Sequence, residues 1–202
     1  MSAWLDRLGS AAPAPGGGAA AAMNTAIGAA LVAMVANLTI GKPAYAEHES
    51  DAAQVLARAD AVRAHALALA DRDADAFTAL MATYRLPRTT DAEKSARTTS
   101  IQDALVIAAQ VSLDIGAAAA EVIQLARSLH GRSNPSVVSD VAVAAASAAA
   151  GLESAHVNAE INARTVRDGA VKERLTTAIA EQAPLVDAAR TLVADIRRDI
   201  GR

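Results

Sequence analysis

Residues 13–42, PAPGGGAAAAMNTAIGAALVAMVANLTIGK, decide how the rest of the chain is read. Two prolines and the run Gly16, Gly17, Gly18 open the stretch, and no charged side chain follows until Lys42. Three glycines give the backbone freedom and let another group approach closely. The alanines behind them are strong helix formers. A Gly-rich loop feeding a helix N-terminus presents unpaired N–H groups and a positive dipole end, which suits a carboxylate or a phosphate. No strand precedes the loop and no GK[ST] ending closes it, so it is neither a dinucleotide fingerprint nor a P-loop. The run is long enough to cross a bilayer. However, it is alanine-dominated, and Asn24, Thr25, Asn37 and Thr39 would all be costly in lipid. Ala44-Tyr45-Ala46 imitates a signal cleavage site, but no basic region precedes it and the glycine loop sits where the apolar region should begin. A buried helix, apolar on all sides, is the reading that fits.

Composition sets the class. The chain has 202 residues, a net charge of −3, 52% hydrophobic and 2% aromatic residues. That length suits one domain, residues 1–202, with a real core. Because alanine supplies much of the hydrophobic fraction, the core should be thin, with helix packed closely on helix. The absence of cysteine excludes disulfides, thiolate metal sites and cysteine catalysis. Slight acidity without a basic cluster argues against a nucleic-acid partner. A soluble cytoplasmic protein with no membrane association is the expectation.

Outward from the central stretch, nothing reads as a strand. Residues 2–9 predict a short helix with Trp4 as a packing anchor. The second helix should run over 19–40, where Pro43 breaks it, and the third over 46–84. The stripe of the third helix reads Val62, Ala66, Leu69, then Phe77, Leu80 and Tyr84, with Asp73 on the same line. A carboxylate on a buried face is costly unless it is paired or functional. Thr90 and Glu93 predict a capping box for a helix reaching 129. A fifth helix starts near Asn134 and Pro135 and continues to 166. On it Asp140, Ser147, Ser154, Asn158 and Asn162 share one face, the pattern of a pocket wall or of helix–helix hydrogen bonding. Asp140 begins that helix, where the dipole favours the ionised form. Glu153 and His156 spell E-x-x-H, but a di-metal bundle site needs a second such pair, and the chain has none. The last helix runs to 200, kinked or restarted at Pro184. The sum is an all-α, up-and-down bundle of long helices. Its uncharged second helix and thin core predict a homodimer.

Several of these segments together resemble the cyclodeaminase domain of the formiminotransferase-cyclodeaminase family, which includes free-standing methenyltetrahydrofolate cyclohydrolases. The resemblance rests on P-G-G-G, a small-residue helix, M-V-A-N-L-T-I-G-K and Tyr45. It continues through D-A-[DE]-A-[FY] at Asp73, Asp75 and Phe77, then Leu86, Pro87 and Arg88, and through TTDAEKSART with Lys94 and Arg97. It ends with N-x4-S-D at Asn134, Ser139 and Asp140 and N-x3-N at Asn158 and Asn162. Ser112 stands where the family carries a proline. The resemblance implies a tetrahydrofolate substrate, no further cofactor, and either hydrolysis of methenyltetrahydrofolate or deaminating closure of formiminotetrahydrofolate. Both reactions pass through a tetrahedral carbon between two folate nitrogens and need an acid–base group. No segment resembles the formiminotransferase half of the bifunctional members, so channelling within one chain is not expected and hydrolysis is favoured. Asp73 and Asp140 are the expected catalytic pair. Gly16, Gly17, Gly18, Asn37, Lys42, Asn134, Ser139, Asn158 and Asn162 are the expected substrate contacts. A helical interaction protein on the same scaffold would instead have lost its polar residues at buried positions, and Asp73, Asp140 and Asn158 are all present.

Overall fold

Proline, glycine and capping residues divide the chain into helices in a computed structural model that describes residues 2–201. α1 spans Ser2–Leu8 and lays Trp4 against the main core. α2 spans Gly17–Asn37, and Gly41, at φ 73°, then turns the chain. A 3-10 turn over Pro43–His48 precedes α3, Glu49–Thr83. The start expected at residue 46 therefore falls inside that turn, because a tight turn follows Pro43 before an α-helix can begin. α4, Asp91–Leu129, opens on the expected capping box. The Glu93 amide donates to Thr90 Oγ1 at 3.2 Å, and the Thr90 amide donates to Glu93 Oε2 at 2.8 Å. α4 runs unbroken through Ser112, whose hydroxyl donates to the Ala108 carbonyl at 3.1 Å. Asn134 caps a second 3-10 turn, Pro135–Val137, and α5 follows over Val138–Thr165. Asp168 caps α6, Gly169–Gln182, and Pro184 restarts the chain as α7, Pro184–Ile200. Among the described residues no strand forms, and the molecule is an all-α bundle.

α2 is the axis of the bundle and packs on α3, α4 and α5. Small residues let it come close to α5. A Cβ on Gly28 would meet the Ala144 carbonyl oxygen at 2.9 Å, and one on Gly151 would meet Thr25 Oγ1 at 2.5 Å. The largest core cluster forms around α2, with Val32, Val35, Leu69, Ile115, Val122 and Leu152 in it. A second, smaller cluster joins Leu80, Leu105, Leu113, Ala159 and Leu175, where α3, α4, α5 and α6 meet. Between the two lies the feature that matters for function. α2 stops at Gly17, whereas α3, α4 and α5 each continue past it. The helices that surround α2 therefore enclose a space with no helix to fill it.

By length and composition, three helical stretches could span a bilayer: Gly17–Asn37, Asp91–Leu129 and Pro135–Thr165. The fold itself buries 61%, 67% and 39% of their most apolar windows, so the third is the least covered. Large apolar side chains stay exposed on both helices, Ile27, Met34 and the C-capping Leu38 of α2 and Val143, Val157 and Ile161 on α5.

Candidate active site

The space beyond the α2 N-terminus is a cavity of about 370 Å³, within the range of small-molecule sites. Gly16, Gly17 and Gly18 form its floor, and Pro13 and Ala14 lie at one side. α3 supplies Asp73, Phe77, Leu80, Met81 and Tyr84; α4 supplies Leu105, Ala108 and Ser112; α5 supplies Asn158, Ile161, Asn162 and Thr165. Asp73 is the only charged side chain among these lining residues.

Gly18 explains how Asp73 reaches the floor. A Cβ built on Gly18 would stand 2.0 Å from Asp73 Oδ1, so the carboxylate occupies the space that any other side chain would fill. It sits against the first turn of α2, where the backbone amide of Ala19 faces it. Two effects act on its titration. Burial raises the Asp73 pKa above the usual carboxylate range and is the larger effect; the Ala19 amide lowers it. The net result is a half-buried carboxyl group that holds its proton to a higher pH than a solvated aspartate.

The two asparagines stand above this floor. Asn158 Nδ2 donates to the Ser154 carbonyl at 2.8 Å, and Asn162 Nδ2 donates to the Asn158 carbonyl at 2.9 Å. Each amide nitrogen is thereby turned back onto its own helix. Gly17 lies beside the Asn158 amide, 3.6 Å from Nδ2 to where a glycine Cβ would be. The site thus combines one titratable carboxylate, two oriented amides and an apolar wall.

The structure divides the expected site residues between two ends of the bundle. Gly16, Gly17, Gly18, Asp73, Asn158 and Asn162 line the one cavity. Asn37, Lys42, Asn134, Ser139 and Asp140 do not. They cluster near the other end of α2, about 30 Å away along a helix of that length. Asn134 has a structural task there. Its amide donates to Thr39 Oγ1, its Nδ2 donates to the Leu38 carbonyl, and Tyr45 Oη donates to its Oδ1. Lys42 and Ser139 are exposed. The charged pair expected of Asp73 and Asp140 is therefore not assembled within one chain. Nor does Lys42 reach the glycine loop: they lie at opposite ends of α2, and the helix N-terminus already faces a carboxylate of its own.

Sequence reasoning missed the aromatic side of the cavity wall. Phe77 and Tyr84 read as core positions on the α3 stripe, yet they are 38% and 43% exposed because they face the cavity. The chain has one phenylalanine and two tyrosines, and gathering two of these three onto one half-helix was the available signal. Ser112, noted only as a replacement for proline, also lines the site. Glu153 and His156 are committed elsewhere: Arg190 pairs with Glu153, and His156 Nε2 lies 3.1 Å from Gln182 Oε1. Among the described residues no group of three His, Asp or Glu side chains is placed to hold a metal ion.

Comparison with known proteins follows the same lines. The formiminotransferase-cyclodeaminase family model matches residues 1–181. Methenyltetrahydrofolate cyclohydrolase of Methylorubrum extorquens is 46% identical over 173 residues, covering 86% of this chain and 83% of that protein. Formimidoyltransferase-cyclodeaminase of Rattus norvegicus is 32% identical over 174 residues, and this chain spans only 32% of its length. The crystal structure of formiminotetrahydrofolate cyclodeaminase from Thermotoga maritima superimposes with a TM-score of 0.89, over 100% of this chain and 97% of that one. At 24% identity, that likeness speaks for the fold alone.

Proposed function

The chain belongs to the formiminotransferase-cyclodeaminase family, and on that basis we propose that it hydrolyses methenyltetrahydrofolate to 10-formyltetrahydrofolate. One observation carries this reading: a relative named as a cyclohydrolase is alike over most of both chains. The cavity agrees with the chemistry required. The methenyl carbon is an electrophile bridging two folate nitrogens, N5 and N10, and water must add to it. In this reading Asp73 takes a proton as water attacks, giving a tetrahedral carbon that bears a hydroxyl group. Asp73 then returns the proton to N5 as the carbon–N5 bond breaks, and the hydroxyl proton leaves to solvent as the formyl group forms on N10. An acid–base group works best with a pKa near the working pH, and burial moves Asp73 in that direction. Asn158 and Asn162 hold the pterin or its one-carbon unit through their free amide oxygens. Folate and water suffice for this sequence, with no additional cofactor.

We further propose that the working form is a cytoplasmic homodimer. Exposed apolar side chains recur along α2 and α5, and in this reading they meet a second copy rather than a bilayer. Ile27 stands among them at the midpoint of α2. A two-fold axis there would lay the far end of a second copy over the cavity. Asp140, Lys42, Asn37 and Ser139 would then serve the site from the partner.

A side-by-side assay tests the activity. The purified protein should accelerate loss of the methenyl chromophore and release no ammonia from formiminotetrahydrofolate. Ammonia release without accelerated hydrolysis would instead make it a cyclodeaminase. Absence of both reactions, and of folate binding, would leave a helical interaction protein on this scaffold.

A further inference from the structure

The folate reading leaves one chemical need unmet inside the cavity. Tetrahydrofolate ends in glutamate carboxylates, and the cavity lining holds no lysine, arginine or histidine. Lys42 lies at the far end of α2, and the first turn of α2 already faces Asp73. Within one chain, the anionic end of the substrate therefore finds no cation on the cavity floor. We propose that Arg97, seated on Tyr84, binds the glutamate end of the folate substrate.

The helix faces point to this residue. On α3 the cavity-facing positions are Asp73, Phe77, Leu80 and Tyr84, a stripe about 16 Å long at the helical rise. On α4 they are Ser112, Ala108 and Leu105, and the same three-four spacing extends through Ile101 to Arg97. The two helices run in opposite directions, and their stripes converge where Tyr84 and Arg97 meet. Arg97 Nη2 donates to the Tyr84 carbonyl at 3.1 Å, and its guanidinium carbon stands 5.9 Å from the Tyr84 ring centroid. Two contacts thus hold the group in one orientation. Its Nε is buried and has no hydrogen-bond partner. A held arginine with an unused buried donor is unusual, because such donors are nearly always satisfied. With one carbonyl contact taken, its planar fork keeps donors for a carboxylate. The path from Asp73 to Arg97 also follows the shape of the substrate. The reacting carbon lies at the carboxylate, the aminobenzoyl ring runs along Phe77, Leu80 and Tyr84, and the glutamate emerges at the guanidinium.

This assignment rests on the folate reading, and its test separates the two. Steady-state constants are measured for methenyltetrahydrofolate and for its des-glutamyl counterpart, methenyltetrahydropteroate. Arg97→Ala should raise KM for the glutamyl substrate about tenfold or more, as expected for a lost charge-assisted hydrogen bond, with kcat within twofold. Wild type and variant should handle the des-glutamyl substrate alike. Arg97→Lys keeps the charge without the fork, so it should recover part of the loss and also guard against a folding defect in the alanine variant. Equal KM values of wild type for both substrates, an equal loss on both in Arg97→Ala, or the same loss in Arg88→Ala would overturn the seat. A wild-type protein that turned over neither substrate would overturn the folate reading itself.

Discussion

Asp73 holds a carboxylate where the fold resists its ionisation, and the consequence can be measured apart from catalysis. Burial raises its pKa in the folded chain, so between the unfolded and folded values the native state binds more protons. Its stabilising contribution is therefore present at low pH and is lost as pH rises through the folded value. Asp73→Asn removes that loss and still offers an oxygen to the Ala19 amide. The variant should melt at the same or a higher temperature than wild type at about pH 8, with the gap closing toward about pH 4. Its turnover should fall roughly a hundredfold or more if the proton shuttle is lost. A folded Asp73→Asn protein with full turnover would leave the residue only a structural role. Gly18 is the companion position. Gly18→Ala should push the carboxylate off the α2 terminus, lowering kcat and shifting the pH–rate profile toward that of a solvated aspartate. An unshifted profile would show that the displacement does not reach the proton. Spacing alone marked Asp73 as a carboxylate on an apolar stripe, but which backbone it faced was not legible, because Gly18 and Asp73 are distant in sequence.

At the scale of elements, α2 and α5 meet through their smallest residues. An alanine in place of Gly151 gains helix propensity, on the order of 1 kcal/mol. Its Cβ, however, would stand 3.0 Å from the Ala21 carbonyl oxygen and 2.5 Å from Thr25 Oγ1. Backbone cannot step aside as a flexible side chain can, so overpacking of about 1–3 kcal/mol should win. Chemical denaturation of Gly151→Ala should show a lowered midpoint; a raised one would mean the helices have room to separate. The helix boundaries themselves were legible where local chemistry sets them, as at the Thr90–Glu93 capping box and the restart at Pro184. They shifted where a proline allowed more than one continuation, as between Pro43 and Glu49.

For the whole molecule, the exposed apolar side chains of α2 and α5 and the divided site make one proposal. Ile27 is 44% exposed among them and lies outside the cavity. Sedimentation should give a dimer for the wild type and a monomer for Ile27→Asp. Because the partner is proposed to supply Asp140 and Lys42, the monomeric variant should also lose turnover. A fully active Ile27→Asp monomer would show that one chain is a complete enzyme.

The sequence by itself determined that the protein is helical, where most of its helices begin and end, and which family it resembles. Those properties rest on capping, on spacing along one helix and on motif order, all of which are local in the chain. It also singled out Asp73, Asn158 and Asn162. Only the tertiary structure decided that the first two of these meet the glycine loop, while Asp140, Lys42 and Asn134 do not. A helical stripe tells which face of a helix is turned inward, but not where its neighbours stop. The cavity exists because α2 ends while α3, α4 and α5 continue, and that difference in length arises only when the helices are laid side by side.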